Sequence, residues 1–536
     1  MTDWETLPLE IQKNILHELA VLRHVSTPSQ RKPWCYPAVS KQWQHFFEKQ
    51  NFRRLVLTDE GDIQALGQYI PLNDRRKHLE HLWLRIKTTR PTPTGFERDK
   101  QFWEDGETTR CLRMLMNTVN ASGPAKEWND SLTLELSLHP MEIDLSRLQS
   151  GDEGQGLYPR PNDEDCSYSE YCAARRDAGL LYDCPLRRSD MAVFRFIPSD
   201  YSSHLEDSQP VRNLYLQPVE AVKELLIRRH VFSRLHLSVL EQIIRCLPGH
   251  QRVTIERGWR KRRYIHEAPQ QVGHKWLLER LREASAAGTR SFSLLDDPLP
   301  LNGRGEVSVW RVPDEDPMDP TELGGEPTER VGVGETYLLQ HLSIAFSNDA
   351  GRFFRDFYPG LRHRSTIRAE WPCLKSLALT SQAMHPKRSS EEISKLLVAA
   401  ARSTLMMPKL ETLEIWNGGD GFACIFRYQT AHKGTNRPTI TLARSWDYSM
   451  PQAVLSAWEE VALSQTVVPR GLAVQVVSLS PKSLKSHASV MGLLELCRLV
   501  VHPVTLCYLR WQTDAKVRTK PAERTTDGYP GDLFSF

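Results

Sequence analysis

A recurring apolar spacing constrains the fold of this chain more than any other feature of its sequence. Three apolar residues repeat as Φ-x-x-Φ-x-Φ, where Φ is apolar and x is any residue. The last two apolar residues alternate as in a short strand, and the first lies in the turn that enters it. Copies begin at Phe52, Leu79, Val211, Leu339, Leu374 and Leu410, and partial copies span 131–136 and 252–255. The spacing therefore predicts a series of short strands that are all entered in the same way.

Helical patterns lie between and after these predicted strands. Residues 219–229, 235–247 and 393–405 carry apolar residues at helical spacing. The alternation of strand, helix and strand predicts parallel strands with the helices on one side. The later part of the chain continues this alternation, with predicted strands at 439–447, 472–479 and 504–511 and predicted helices at 451–464 and 487–499.

The strand spacing resembles the strand half of a leucine-rich repeat. Its copies are unevenly separated, since Leu374 and Leu410 are 36 positions apart but Phe52 and Leu79 are 27 positions apart. The body, residues 51–512, is therefore predicted to be an irregular leucine-rich-repeat-like solenoid of α/β class. A general α/β domain with chance leucine spacings is the alternative.

Several segments have a composition that cannot bury enough apolar surface to offset the entropy of the chain. They are rich in Asp, Ser, Pro and Gly and lie near 90–107, 150–209 and 313–334. We expect these segments to be long, mobile insertions, and residues 513–536 to be a disordered tail.

The first 50 residues form a separate pattern of two helices. Pro8 suits the first position of a helix, and Glu10 lies near its positive end. Ile11 and Ile15 then fall on one helical face, which Leu16 widens. So short a helical unit cannot bury these side chains alone, which implies a partner surface.

This head, residues 1–50, resembles the F-box in its opening Leu-Pro-x-Glu-Ile and its closing Val-Ser-Lys-x-Trp. The resemblance implies a docking unit for the Skp adaptor of a cullin-type (SCF) ubiquitin ligase. The polar link at 24–35 is longer than is usual in that family. The alternative is a helical hairpin that only caps the body. The residues that the resemblance places at or beside the adaptor contact are Leu7, Pro8, Ile11, Ile15, Leu16, Val39 and Trp43.

The body also carries a resemblance of its own. Residues 413–421, followed by Phe426-Arg-Tyr428, resemble uncharacterised fungal proteins that join an F-box head to a long α/β body. That resemblance implies no reaction. It implies a substrate receptor, with the head on the adaptor and the body on a target protein. A non-catalytic scaffold and a nuclear nucleic-acid-associated binder are the alternatives.

The sequence shows no motif of a known catalytic or cofactor site. The turn at 416–421 lacks the spacing of a phosphate-binding loop. Cys166, Cys172 and Cys184 lack the spacing of zinc ligands. No hydrolase, zinc-protease or kinase motif is present. We therefore predict a protein that is not an enzyme and that holds no metal or cofactor.

Charge and cysteine usage narrow the compartment and the class of partner. The net charge of +3 is too small to imply nucleic acid by itself, although 259–264 is a sharp basic cluster. Ten scattered cysteines favour reduced thiols in the cytoplasm or nucleus. No apolar run approaches the length of a membrane span. A soluble protein that binds other proteins is the predicted class.

The strand pattern also predicts where a target would bind. Because the leucines of each copy point inward, their neighbours should point to solvent along the concave side. Exposed aromatic and charged side chains are typical interface anchors. The alternative is that Trp83 and Trp416 are covered and extend the core. The predicted target-binding residues are His81, Trp83, Arg85, Tyr215, Gln217, Glu414 and Trp416.

Overall fold

The computed structural model describes the chain in separate ranges. They are residues 4, 7–25, 39–88, 107–140, 214–228, 237–258, 288–297, 338–358, 371–430, 437–465, 471–503, 505–506 and 509–510. Most of the predicted insertions, the basic cluster at 259–264 and the three cysteines singled out above lie outside these ranges. The predicted tail at 513–536 also lies outside them.

A single open sheet organises the described residues, and its twelve strands follow one another in chain order. Neighbours are parallel throughout, except that β10 runs antiparallel to both β9 and β11. The predicted α/β class and the mostly parallel pairing are confirmed. The strands are β1 (Arg54–Leu57), β2 (His81–Thr88), β3 (Thr133–Pro140), β4 (Glu224–Ile227), β5 (Arg252–Gly258), β6 (Ser291–Asp297), β7 (His341–Ala345), β8 (Ser376–Thr380), β9 (Thr412–Gly419), β10 (Phe422–Gln429), β11 (Thr439–Arg444) and β12 (Ala473–Ser478).

Most of the helices pack on one face of this sheet and bury their apolar side chains against it. None of the described helices is long and apolar enough to cross a membrane. The helices are α1 (Leu9–Val25), α2 (Lys41–Asn51), α3 (Glu60–Tyr69), α4 (Glu107–Ala121), α5 (Leu237–Arg245), α6 (Ala350–Phe353), α7 (Ser390–Thr404), α8 (Gln452–Gln465), α9 (His487–Met491) and α10 (Cys497–Val500).

Local sequence explains where the best predicted helix begins. Ser389 accepts a hydrogen bond from the Glu392 amide at 3.2 Å, and its hydroxyl donates to the Glu392 carboxylate. The Ser389 hydroxyl is therefore an N-cap that satisfies one backbone amide of the first turn. The predicted helices at 235–247, 393–405 and 451–464 are confirmed as α5, α7 and α8.

The apolar spacing is aligned from strand to strand. Each central apolar residue of the spacing is paired with its counterpart on the next strand, and all of them are buried. Such alignment keeps the whole helix-covered face apolar, and each buried side chain contributes about 2 kcal/mol. The aligned residues are Leu82, Leu134, Leu225, Val253, Phe292, Leu342, Leu377 and Leu413.

The region around β4 differs from both predictions made for it. Residues 214–216 form no strand, and the described residues of the helix predicted at 219–229 are not helical, because β4 occupies 224–227. Val222, Leu225 and Ile227 themselves have the Φ-x-x-Φ-x-Φ spacing. Over so few residues that spacing fits a helix equally well. Pairing with β3 and β5 decides the outcome in favour of a strand.

Two strands enter the sheet with a polar residue where the pattern has an apolar one. His250 precedes β5 and Thr289 precedes β6, and both are buried. The Thr289 hydroxyl lies 2.7 Å from His250 Nε2, and His250 Nδ1 contacts the Leu247 carbonyl. The carbonyl can only accept, so Nε2 is free to accept from Thr289. The two polar side chains thus satisfy each other's hydrogen-bonding groups. Because Thr289 is polar, the Φ-x-x-Φ-x-Φ spacing did not predict β6.

We expect Thr289→Val to lower the free energy of unfolding by about 1–3 kcal/mol, because it leaves His250 Nε2 buried without a donor. The double variant His250→Leu/Thr289→Val restores apolar residues at both positions and should cost less than the single variant. Urea unfolding of the wild type and both variants measures this. A double variant that is less stable than Thr289→Val would contradict the expectation.

The C-terminal part of the chain covers the other face of the sheet. The helix predicted at 487–499 is two short helices, α9 and α10, and the strand predicted at 504–511 is wrong, because its described residues are helical. The expectation that all helices lie on one side is also wrong for this segment. Leu506 and Leu509 are both buried.

Candidate functional site

The two head helices are joined by a small group of polar side chains. The Gln12 amide donates to the carbonyls of Trp4 and Leu7, at 3.0 and 2.9 Å. The Gln42 amide donates to Gln12 Oε1 at 2.8 Å, and the Trp4 indole donates to Gln42 at 3.0 Å. Trp43 meets the Trp4 ring edge-on. These contacts fix the angle between α1 and α2.

The second head helix is fastened to the body by an ion pair. Glu48 and Arg75 lie 2.6 Å apart, with both side chains largely buried. The Arg75 guanidinium also lies 4.5 Å from the centre of the Phe52 ring. Burial by itself would raise the pKa of Glu48, but the hydrogen bonds from Arg75 and Gln44 outweigh it and the pKa is lowered. These contacts hold α2 against the body.

The first head helix turns apolar side chains away from the rest of the chain. Leu16 is buried, whereas Leu9, Ile11 and Ile15 are exposed by 57, 45 and 36%. Val39 is exposed by 59%. Of the other residues predicted for the adaptor contact, Pro8 is exposed and Leu7 and Trp43 are half-buried. An uncovered group of large aliphatic side chains is typical of a protein-binding surface.

The predicted target-binding residues do not form one open surface. Tyr215 and Gln217 are exposed but lie in the loop before β4, where Tyr215 has φ +49°. The other five predicted residues do lie on strands, but on the second face of the sheet, opposite most of the helices, where their side chains are at least half-buried. His81, Trp83, Glu414 and Trp416 are buried and Arg85 is half-buried, so the expected exposure of these strand residues is wrong.

A buried ion pair lies on this second face at β3 and β4. Arg228 and Glu135 are fully buried, and Arg228 Nε donates to Glu135 Oε1 at 2.7 Å. A second guanidinium nitrogen reaches Glu135 Oε2, which is also 2.9 Å from His81 Nε2. Burial would raise the pKa of Glu135, but the charge of Arg228 and the hydrogen bonds from both partners hold the pKa far below its usual range. Glu135 is thus the shared acceptor of two basic side chains.

Trp83 lies beside this ion pair. Its indole N–H donates to the Ser137 hydroxyl at 2.8 Å. The guanidinium groups of Arg85 and Arg228 lie 5.0 and 5.2 Å from its ring centres. Cation–π contacts of this kind gain strength when both groups are shielded from water. Trp83 therefore belongs to a buried polar cluster and does not project as an anchor.

Two further carboxylates on the second face hold the C-terminal cover, which we define as residues 484–503, 505–506 and 509. Glu414 accepts from the amides of Glu495 and Leu496 at 3.0 Å and from Arg427 at 2.6 Å. Glu256 accepts from the His502 amide at 2.6 Å and from the Thr505 hydroxyl. Both carboxylates are buried, so each takes the place of water at the start of a helical turn.

Apolar contacts complete the C-terminal cover. Trp416 packs edge-on against Phe346, with ring centres 5.2 Å apart, in a core that includes residues of α9 and α10. The approach is close, because a Cβ at Gly418 would lie 2.3 Å from a Val490 methyl group. Trp416 therefore extends the core, which was the alternative open for it at the sequence level.

Sequence reasoning missed Glu135, Arg228 and Glu256. Glu135 and Glu256 are charged residues beside apolar residues in a strand, and Arg228 directly follows the apolar end of one, which was the available signal. Buried charges are rare without partners, so such a position predicts a paired charge. Within the described ranges, no three His, Cys, Asp or Glu side chains are grouped so that they could hold a metal ion.

Comparison with known proteins adds one match. The model of a family of unknown function (DUF6546) matches residues 328–502, which contain β7 to β12 and most of the C-terminal cover. The matched segment is less than half of the chain and carries no stated activity. No curated protein and no solved structure matches the chain.

Proposed function

We propose that this chain is the substrate-receptor subunit of a cullin-type ubiquitin ligase. Its head binds the Skp adaptor, and its body, an irregular leucine-rich-repeat-like array, binds a target protein. It performs no covalent chemistry and acts in the cytoplasm or nucleus by raising the concentration of the target beside a ubiquitin donor. The aligned apolar positions of successive parallel strands support the array.

The exposed aliphatic face of α1 carries this proposal. Ile11 and Ile15 are four residues apart on one face, and neither is covered by the residues that the structure describes. They belong to the motif that resembles the F-box. An amphipathic helix that leaves its apolar side open is suited to a groove on a partner.

We expect Ile11→Asp/Ile15→Asp to weaken adaptor binding at least 100-fold, about 3 kcal/mol, because each variant places a charge in an apolar contact. Binding of the purified full chain to purified Skp adaptor is measured by calorimetry. Lys13→Asp/Asn14→Asp is the matched control, since both positions are exposed polar residues of the same helix. This control should bind as the wild type does.

The competing function is a head that only caps the sheet. The Glu48–Arg75 pair favours that role for α2. Adaptor binding separates the two possibilities, because a pure cap binds no adaptor, and urea unfolding checks that the Asp pair leaves the body folded. Adaptor binding that is absent in the wild type, or an Asp pair that unfolds the body, would overturn the adaptor proposal.

A further inference from the structure

The last strand of the sheet, β12, has an unused edge. It pairs with β11 on one side, and no described strand lies on the other. The Ala473 amide donates at 2.9 Å to the carbonyl of Pro438, the residue before β11, and the Leu479 amide donates at 2.7 Å to the carbonyl of Arg444, the last residue of β11. Because backbone direction alternates along a strand, Val474, Val476 and Ser478 turn their N–H and C=O groups outward. These groups are the template for one more strand.

The side chains of β12 are also uncovered. Val474 and Val476 lie on one face of the strand, exposed by 45 and 55%, and Val477 lies on the other, exposed by 42%. The strand contains no proline and no charged residue. Proteins usually protect edges with such residues, so an open edge of three valines is the kind that pairs with another chain.

We propose that the outer edge of β12 binds an extended, uncharged segment of the target protein by strand addition. The inference deepens the proposed function, on which it rests, by naming the place and the chemical class of the target. Hydrogen bonds to the outward amides supply affinity that does not depend on sequence. Apolar side chains at alternate positions of the target segment then meet Val474 and Val476.

The length of the edge favours a peptide segment over a second copy of this chain. The strand has six residues, which span about 20 Å. Two such edges joined alone fall short of the roughly 1,000 Å² that a stable interface needs. An extended segment of five or six residues uses the full row of outward groups without requiring further surface.

The test uses the full chain and a labelled eight-residue peptide of alternating Thr and Val, blocked at both ends. We expect fluorescence anisotropy to show saturable binding. The same peptide with N-methyl groups on alternate residues, which blocks one hydrogen-bonding edge, should bind at least 10-fold more weakly. Equal binding of the two peptides, or none by either, would overturn the inference.

Two variants of the chain locate the contact. Val476→Pro removes an outward N–H that β11 does not use, and proline is tolerated at such an edge. We expect it to weaken peptide binding at least 10-fold. Val476→Thr keeps the N–H and the branched shape and should bind within about threefold, while unfolding in urea checks that both variants are folded. Peptide binding unaffected by Val476→Pro would place the site elsewhere and overturn the inference.

The same variants separate this inference from the adaptor proposal. Val476→Pro should leave adaptor binding unchanged, and Ile11→Asp/Ile15→Asp should leave peptide binding unchanged. A wild-type chain that binds the adaptor but not the peptide overturns this inference alone, and one that binds the peptide but not the adaptor overturns the adaptor proposal alone. Sedimentation that reveals a dimer abolished by Val476→Pro would mean that the edge serves a second copy, and this would also overturn the inference.

Discussion

Glu414→Ala should lower the free energy of unfolding by about 3–5 kcal/mol. The change leaves Arg427, whose side chain is mostly buried, without its carboxylate, and it also strips the acceptor from two amides of the C-terminal cover. Because domains are stable by only about 5–15 kcal/mol, we expect the cover to loosen. Urea unfolding measures the loss of stability, and hydrogen exchange of residues 484–503 measures the loosening of the cover.

Glu495→Ala is the matched control for this substitution. It removes an exposed carboxylate at the same contact but keeps the backbone amide that donates to Glu414. We expect a change within about 0.5 kcal/mol. A Glu414→Ala protein as stable as the control would show that water replaces the carboxylate and that the cover is held by its apolar contacts alone.

The second large effect concerns the buried pair of Glu135 and Arg228. Glu135→Leu removes the carboxylate that accepts two hydrogen bonds from a fully buried guanidinium, and it should cost about 3–5 kcal/mol. Glu135→Leu/Arg228→Met removes both charges, so it should recover at least half of that loss. Urea unfolding of the two variants, of Arg228→Met alone and of the wild type completes a double-mutant cycle, which gives the interaction free energy of the pair. If the double variant is no more stable than Glu135→Leu, the buried charge of Arg228 is not the reason that Glu135→Leu lowers the free energy of unfolding.

Acid should weaken this pair with a defined sign. The pKa of Glu135 is lowered in the folded protein, so the stabilisation is present above the pKa of the unfolded chain, about 4. This stabilisation is lost as the pH falls toward the pKa of Glu135 in the folded protein. Between pH 6 and pH 3 we expect the wild type to lose about 2 kcal/mol more than Glu135→Leu/Arg228→Met. If the free energies of unfolding of the two proteins fall in parallel with pH, the expectation is contradicted.

The sequence alone determined which side of the sheet is apolar and where several elements begin. The Φ-x-x-Φ-x-Φ spacing located β2, β7, β8 and β9 because alternation is a property of the strand itself. The helical spacing of apolar residues at 393–405 and 451–464 located α7 and α8, because recurrence on one helical face is also a local property. The outward Ile11 and Ile15 were also legible, since a short helix exposes whatever its partner helix does not cover.

Only the tertiary structure decided what covers the second face. Glu256 meets His502 across 246 positions of the chain, and Trp416 is buried by a segment that reads locally as helix or strand. Alternation assigns a side chain to a face but carries no information about a distant segment that packs on that face. The same limit applies to β4, where residues 222–227 fit a helix and a strand. Hydrogen bonds to β3 and β5 selected the strand, because a buried backbone must satisfy its amides.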